Sequence, residues 1–169
     1  MAKQDVPPAP LGDASPFRFA VIVSRFNESI TFSLRDAAVR ALAEAGAAAA
    51  SVHVFDVPGA YELPQAARAA ADSGAFDAVV CLGCVIRGET PHFDYISSAV
   101  AHGITAASGD TGVPMAFGVL TTNTLEQAQE RAGPGDDNKG REAAAAAIEM
   151  AALCKRLASL PSRPLGFRA

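Results

Sequence analysis

The chain has 169 residues, 50% hydrophobic and 19% charged, which excludes a disordered or fibrous polymer and fits one domain with a sizeable core. The formal net charge is −4 with no basic block, which argues against nucleic acid as a partner, and no apolar run approaches the about 20 residues that span a bilayer. Three cysteines cannot close an even disulfide framework and residues 1–10 lack the order of a signal peptide, so a reducing cytoplasm is expected.

Residues 1–16 hold Pro7, Pro8, Pro10 and Pro16 without periodicity and read as a flexible or extended N-terminal arm. From Phe17 strand and helix patterns alternate. Phe19–Val23 is a continuous apolar run, as in a strand covered on both faces. Ile30, Leu34, Ala38, Ala41, Leu42 and Ala45 then recur at helical spacing, with Gly46 as the stop. Val52–Phe55 reads as the second strand, ended by Pro58-Gly59, and a helix is expected over 62–73. Ala78–Leu82 reads as the third strand, closed by Gly83, and Ile96, Val100 and Ile104 mark the helix that follows. Met115–Leu120 is the fourth strand, and Thr124-Leu125-Glu126-Gln127 fits a capping box opening a short helix. Gly133-Pro134-Gly135 breaks that helix, and an Ala-rich one is expected from Lys139 to Ser159. The domain is therefore 17–160, and the C-terminal tail 161–169, with Pro161, Pro164, Arg163 and Arg168, is expected to fray.

Alternating strands and helices imply βαβ units, hence a three-layer α/β/α sandwich around a four-stranded parallel sheet. Ligands of such sheets collect outside the carboxyl ends of the strands, which directs attention to residues 24–27, 56–62, 83–92 and 120–123.

The richest of these segments is Gly83-Cys84-Val85-Ile86-Arg87-Gly88-Glu89-Thr90-Pro91-His92. Thr90 suits an N-cap and Pro91 the first helical position, so the loop is expected to hand over to a helix N-terminus able to hold an anion. The plain alternative is a capped turn without a ligand. Glu89 stands where a phosphate-binding Walker loop needs lysine, which excludes a nucleoside triphosphatase. His92 falls in the first helical turn, where the dipole favours a neutral, proton-accepting ring suited to general acid–base work; otherwise it is a solvent-facing histidine. His53, between Val52 and Val54, reads as structural, and His102 falls on the polar helix face. Cys81 and Cys84 form a C-x-x-C, but in a strand their side chains point to opposite faces and no further ligands are spaced for zinc, so neither metal nor redox use is expected. Arg131 and Lys139 flank a Gly/Pro-rich stretch and either complement helix dipoles or clamp a phosphate. Phe26, in a strand-to-helix loop among polar neighbours, is either core or a ring that stacks on a flat heterocycle.

Read together, the chain resembles the 6,7-dimethyl-8-ribityllumazine synthase family of riboflavin biosynthesis. The resemblance is carried by Arg25-Phe26-Asn27, Pro58-Gly59-Ala60-Tyr61-Glu62, Gly83-Cys84-Val85-Ile86-Arg87-Gly88 with His92, Phe117-Gly118-Val119-Leu120-Thr121-Thr122, and Glu130-Arg131-Ala132-Gly133 with Asn138-Lys139-Gly140. It spans about Phe17 to Leu157. It implies a flavodoxin-like fold and a transferase that condenses 5-amino-6-(D-ribitylamino)uracil with 3,4-dihydroxy-2-butanone 4-phosphate, without metal or organic cofactor.

The resemblance further implies that Phe26 stacks on the pyrimidine, with Asn27 beside it, and that Ala60, Tyr61 and Glu62 hold the ribityl chain. Cys84, Val85 and Ile86 would read the pyrimidine edge through backbone groups, with Phe117 coming from a neighbouring subunit. Glu89, Thr90 and Arg131 would bind the butanone phosphate, Glu89 through its N–H, while His92 shuttles protons and Lys139 supports. Cys84 stands where relatives often carry threonine, and Tyr61 where phenylalanine or threonine is usual. The implied assembly is a homopentamer, with a 60-subunit icosahedral shell as a hypothesis and riboflavin synthase as a candidate enclosed partner. The rival readings are a lumazine or flavin carrier without catalysis, and a shell with dead sites; both would dispense with His92, Arg131 and Lys139.

Overall fold

A computed structural model describes residues 10–161, so residues 1–9 of the arm and 162–169 of the tail lie outside the described residues. Four strands alternate with five helices: β1 Phe19–Ser24, α1 Glu28–Glu44, β2 Val52–Val57, α2 Leu63–Asp72, β3 Ala78–Ile86, α3 His92–Thr111, β4 Met115–Thr122, α4 Leu125–Arg131 and α5 Lys139–Ala158. All strand pairs are parallel, and the order across the sheet is β2-β1-β3-β4. This is the flavodoxin-like, three-layer α/β/α arrangement.

Strand alternation builds two cores, one on each face of the sheet. Phe19, Val21, Val23, Val80 and Leu82 pack with α1, α4 and α5, whereas Ala20, Ile22, Val79 and Cys81 pack with α2 and α3. Apolar residues at Phe19–Val23 of β1 and in the first half of β3 are thus required, because both faces are covered. Ala14 is fully buried beside α1 and donates its N–H to the Ala45 carbonyl at 2.8 Å. Among the described residues no helix is long and apolar enough to cross a membrane.

Three local expectations need correction. The third strand does not close at Gly83 but runs on to Ile86, because β4 continues beside it from Gly83↔Val119 to Ile86↔Thr122. Gly83 is a close-packing position instead: a Cβ there would lie 3.0 Å from Leu63 Cδ1. Thr90 does not cap α3 and Pro91 is not its first residue. The helix begins at His92, with the Pro91 carbonyl accepting the first bonds from the Asp94 and Tyr95 N–H groups. The capping box of α4 forms by half. Thr124 Oγ1 accepts the Gln127 N–H at 3.3 Å, but Gln127 Oε1 accepts from the Asn123 N–H at 2.9 Å, one residue earlier than the box requires.

Two helices, α1 and α5, meet closely at Gly140, in the first turn of α5. Its N–H is held by the buried Asn138 Oδ1 at 2.8 Å, and a Cβ on it would lie 2.0 Å from the Leu34 carbonyl oxygen of α1. That neighbour is backbone and cannot rotate aside. Gly140→Ala should therefore destabilise the fold by about 1–3 kcal/mol or more, as overpacking does. Urea unfolding measures this, and an unchanged midpoint would show that the two helices are not locked there.

Candidate active site

β3 outruns β1. Pairing between the two stops at Val23↔Leu82, whereas β3 remains paired with β4 as far as Ile86. Backbone groups alternate in direction along a strand. The Arg87 N–H bonds the Thr122 carbonyl of β4, so Val85 also faces β4, while Cys84 and Ile86 turn their N–H and C=O groups to the side that β1 has vacated. Asn27 Nδ2 reaches into that gap and donates to the Cys84 carbonyl at 3.0 Å.

Asn27 can do so because it sits at the junction of β1 and α1 in the left-handed conformation, φ 60° and ψ 47°. Asparagine tolerates this region better than most side chains. Its side chain is spent on β3 rather than on capping α1. The same tight turn thrusts Phe26 outward, where it is 69% exposed. Exposure of this order removes the reading of Phe26 as core.

Around the overhang lies a cavity of about 380 Å³. Phe26 and Asn27 line it from the end of β1, and Gly59, Ala60 and Tyr61 from the turn after β2. Its floor is Cys84, Val85 and Ile86, and its far wall is Gly88 and Thr90 with His92, Phe93 and Ile96 of α3. The cavity thus sits at the carboxyl ends of β1, β2 and β3, against the first turn of a 20-residue helix. Such a site offers an aromatic ring, an unpaired strand edge, an imidazole and the positive end of a helix dipole. Together these suit a flat hydrogen-bonding heterocycle and an anionic co-substrate.

Glu62 stands at the cavity's rim, where its Oε2 accepts the Gly59 N–H at 2.9 Å and holds the turn after β2. It borders a second, shallower groove with Tyr61, Pro64, Gln65, Ala99 and Gly103. Glu89 is exposed beside Thr90 and does not line the cavity.

Three further sequence-derived candidates lie away from the cavity within one chain. Phe117 lies in β4, opposite Cys81, and is 45% exposed. Arg131 ends α4 and donates from Nη1 to the Gln127 carbonyl at 2.9 Å. Lys139 opens α5 and pairs with Glu142. α4 and α5 pack on the α1 face of the sheet, opposite α2 and α3.

The remaining candidates resolve simply. His53 Nε2 lies 3.1 Å from the Ala50 carbonyl and its ring meets Phe55 and Phe76, a structural role. His102 is exposed on α3, with Nδ1 2.8 Å from the Ser98 carbonyl. Cys81 and Cys84 belong to the two opposite cores. Burial pushes the Cys81 thiol up to about 12 and the Cys84 thiol up to about 11, the reverse of an activated cysteine. Among the described residues no three of histidine, cysteine, aspartate and glutamate gather to hold a metal ion. Gly59, Gly88, Phe93 and Ile96 were missed by sequence reasoning. Phe93 and Ile96 follow His92 by one and four positions, so the helical period that flagged Ile96 as core also carried it to the cavity wall.

Two comparisons bear on this geometry. Residues 16–155 match the family model described as 6,7-dimethyl-8-ribityllumazine synthase. The chain is also 54% identical, over 144 residues, to the 6,7-dimethyl-8-ribityllumazine synthase of Syntrophus aciditrophicus (strain SB), covering 85% of this chain and 94% of that protein.

The buried thiols give the site region a pH signature. Free thiols release protons near pH 9.0, and these two only near 11 and 12. Between those values the unfolded chain binds fewer protons than the folded one. The stability that comes from keeping the thiols neutral is therefore present below about pH 9 and lost as pH rises through 11 to 12. Urea midpoints measured at rising alkaline pH should fall less steeply in Cys81→Ala/Cys84→Ala than in the parent chain. An equally steep fall in both would contradict the assignment.

Proposed function

The chain belongs to the 6,7-dimethyl-8-ribityllumazine synthase family, and from that premise we propose how its residues divide the work. It is a transferase of riboflavin biosynthesis: it joins 5-amino-6-(D-ribitylamino)uracil to 3,4-dihydroxy-2-butanone 4-phosphate, forming 6,7-dimethyl-8-ribityllumazine with loss of phosphate and water. The observation that carries the reading is the overhanging end of β3, which faces a cavity shared by Phe26 and His92.

In this reading the pyrimidine stacks on Phe26, and its polar edge bonds the backbone of Cys84 and Ile86 as a further strand would. Val85 packs beneath the ring, and Asn27 fixes the Cys84 carbonyl that the ring meets. The ribityl chain runs past Ala60 and Tyr61 to the carboxylate of Glu62. The butanone phosphate lies at the start of α3, where the N–H groups of Glu89 and Thr90 and the helix dipole favour an anion. Glu89 contributes by backbone alone, since its carboxylate would repel the phosphate.

His92 then moves protons as the amine adds to the ketone, water leaves and phosphate is eliminated. In this reading the larger part of the acceleration is positioning. Holding amine and ketone at near-attack distance is worth about 7–11 kcal/mol in ideal cases, and proton transfer adds about 10²–10⁴-fold.

Phe117, Arg131 and Lys139 are supplied by an adjacent copy. Their distance in the fold from the cavity of their own chain supports this, because Arg131 and Lys139 belong to the α1 face and Phe117 is exposed on the last strand. An arginine fork suits phosphate. The assembly is a cyclic pentamer with one site at each interface, and the compact stretch between Arg131 and Lys139 supports further closure into a 60-subunit shell able to enclose riboflavin synthase. Three unpaired cysteines suit a reducing, cytoplasmic location.

His92→Ala should lower kcat by about 10²–10⁴-fold while leaving measurable turnover. Complete loss of product in an assembled variant would contradict the ranking of positioning over proton transfer. Arg131→Ala should instead raise KM for the butanone phosphate with a smaller change in kcat, and an unchanged KM would remove Arg131 from the site. Sedimentation reads the assembly directly, a particle of pentamer mass refuting the shell.

A further inference from the structure

Arg87 is the residue immediately after β3, and it lies outside the cavity lining. Its backbone N–H donates to the Thr122 carbonyl at the end of β4, and its guanidinium Nε donates to Asn123 Oδ1 at 3.1 Å. The other two nitrogens form a fork on Asp94 of α3: Nη2 to Oδ1 at 2.8 Å and Nη1 to Oδ2 at 3.3 Å. The planar face of the same guanidinium lies 4.3 Å from the ring centroid of Phe93. One side chain therefore ties the ends of two strands to the second and third residues of α3. The first residue of that helix is His92, and both His92 and Phe93 line the cavity.

The first turn of α3 needs such a tie. No side chain caps it, and the segment leading into it contains Gly88 and is exposed from Arg87 to His92. The ion pair is itself exposed, with side chains 43% and 58% accessible, so it contributes little to folding. Its effect is on where the first turn sits.

Accepting the reading of His92 as the proton carrier, we infer that Arg87 is a positioning residue. Its fork on Asp94 and its stacking on Phe93 hold the imidazole at working distance from the bound substrates. Lysine cannot replace it, because an ammonium offers neither the fork nor the flat face. The charge of Arg87 is already matched by Asp94, so a direct electrostatic action on the phosphate is not its role.

The test is a double-mutant cycle on the full chain in its native assembly, with both substrates varied. The variants are Arg87→Ala, Arg87→Lys, Asp94→Asn, His92→Ala and the double variant Arg87→Ala/His92→Ala. Arg87→Ala should lower kcat by about 10- to 100-fold, as small misplacements of a reacting group do, with little change in either KM or in the melting temperature. Arg87→Lys should recover little of the loss, and Asp94→Asn, which breaks the fork from its other side, should share it. In the His92→Ala background Arg87→Ala should cost nothing more, since the group it positions is gone.

Wild-type kcat in both Arg87→Ala and Asp94→Asn, full recovery by lysine, or losses that multiply in the double variant would overturn this inference and leave His92 in place. Wild-type kcat in His92→Ala would overturn the reading of His92 itself, and this inference with it.

Discussion

The difference in length between two adjacent parallel strands governs the rest of this molecule. β1 leaves β3 at Val23↔Leu82, and β3 continues for four more residues with a partner on one side only. A strand edge in the middle of a sheet would ordinarily be filled. Here Asn27 occupies one carbonyl and the remainder faces a cavity. An unpaired edge has a hydrogen-bonding pattern as fixed as a base pair's, without the conformational cost of ordering side chains to make it. On the proposed reading Cys84 and Ile86 would meet a flat, polar heterocycle through backbone groups, and such contacts do not depend on the thiol of Cys84.

The layers around the sheet keep structure and chemistry apart. β1 and the first part of β3 are buried on both faces and set the rigid frame. The parts aimed at the cavity are exposed and locally costly. Asn27 is the only non-glycine with positive φ among the described residues, Phe26 stands mostly in solvent, and α3 starts without a side-chain cap. Asn27 is tied down through the Cys84 carbonyl, and the first turn of α3 through the Arg87 fork on Asp94 and its stack on Phe93.

Much of the architecture was legible in the sequence because its signals are local and repeated. Apolar runs bounded by Gly and Pro located all four strands, and helical spacing located Ile96, Val100 and Ile104. The errors fall where a neighbour decides. Gly83 reads as a strand end, yet β4 supplies partners through Ile86. Thr90 and Pro91 read as a cap and first turn, yet the helix starts one residue later, on the carbonyl of Pro91. For the site, Phe26, Asn27, Ala60, Tyr61, Cys84, Val85, Ile86, Thr90 and His92 gather at one cavity as their positions at strand ends imply. Phe93 was invisible because an aromatic in a helix is ordinarily core, and Arg87 because its importance lies in three partners that only the fold brings together. Phe117, Arg131 and Lys139 do not line the cavity of their own chain.

The account stands on the claim that the overhanging end of β3 receives the heterocycle. A crystal structure of the assembled enzyme with 6,7-dimethyl-8-ribityllumazine bound tests it most directly. The account predicts the ring stacked against Phe26, with its polar edge bonded to the backbone of Ile86 and its ribityl chain directed toward Glu62. A ring seated in the groove beside Pro64, Gln65 and Gly103, or one that leaves the Cys84–Ile86 backbone untouched, would contradict it.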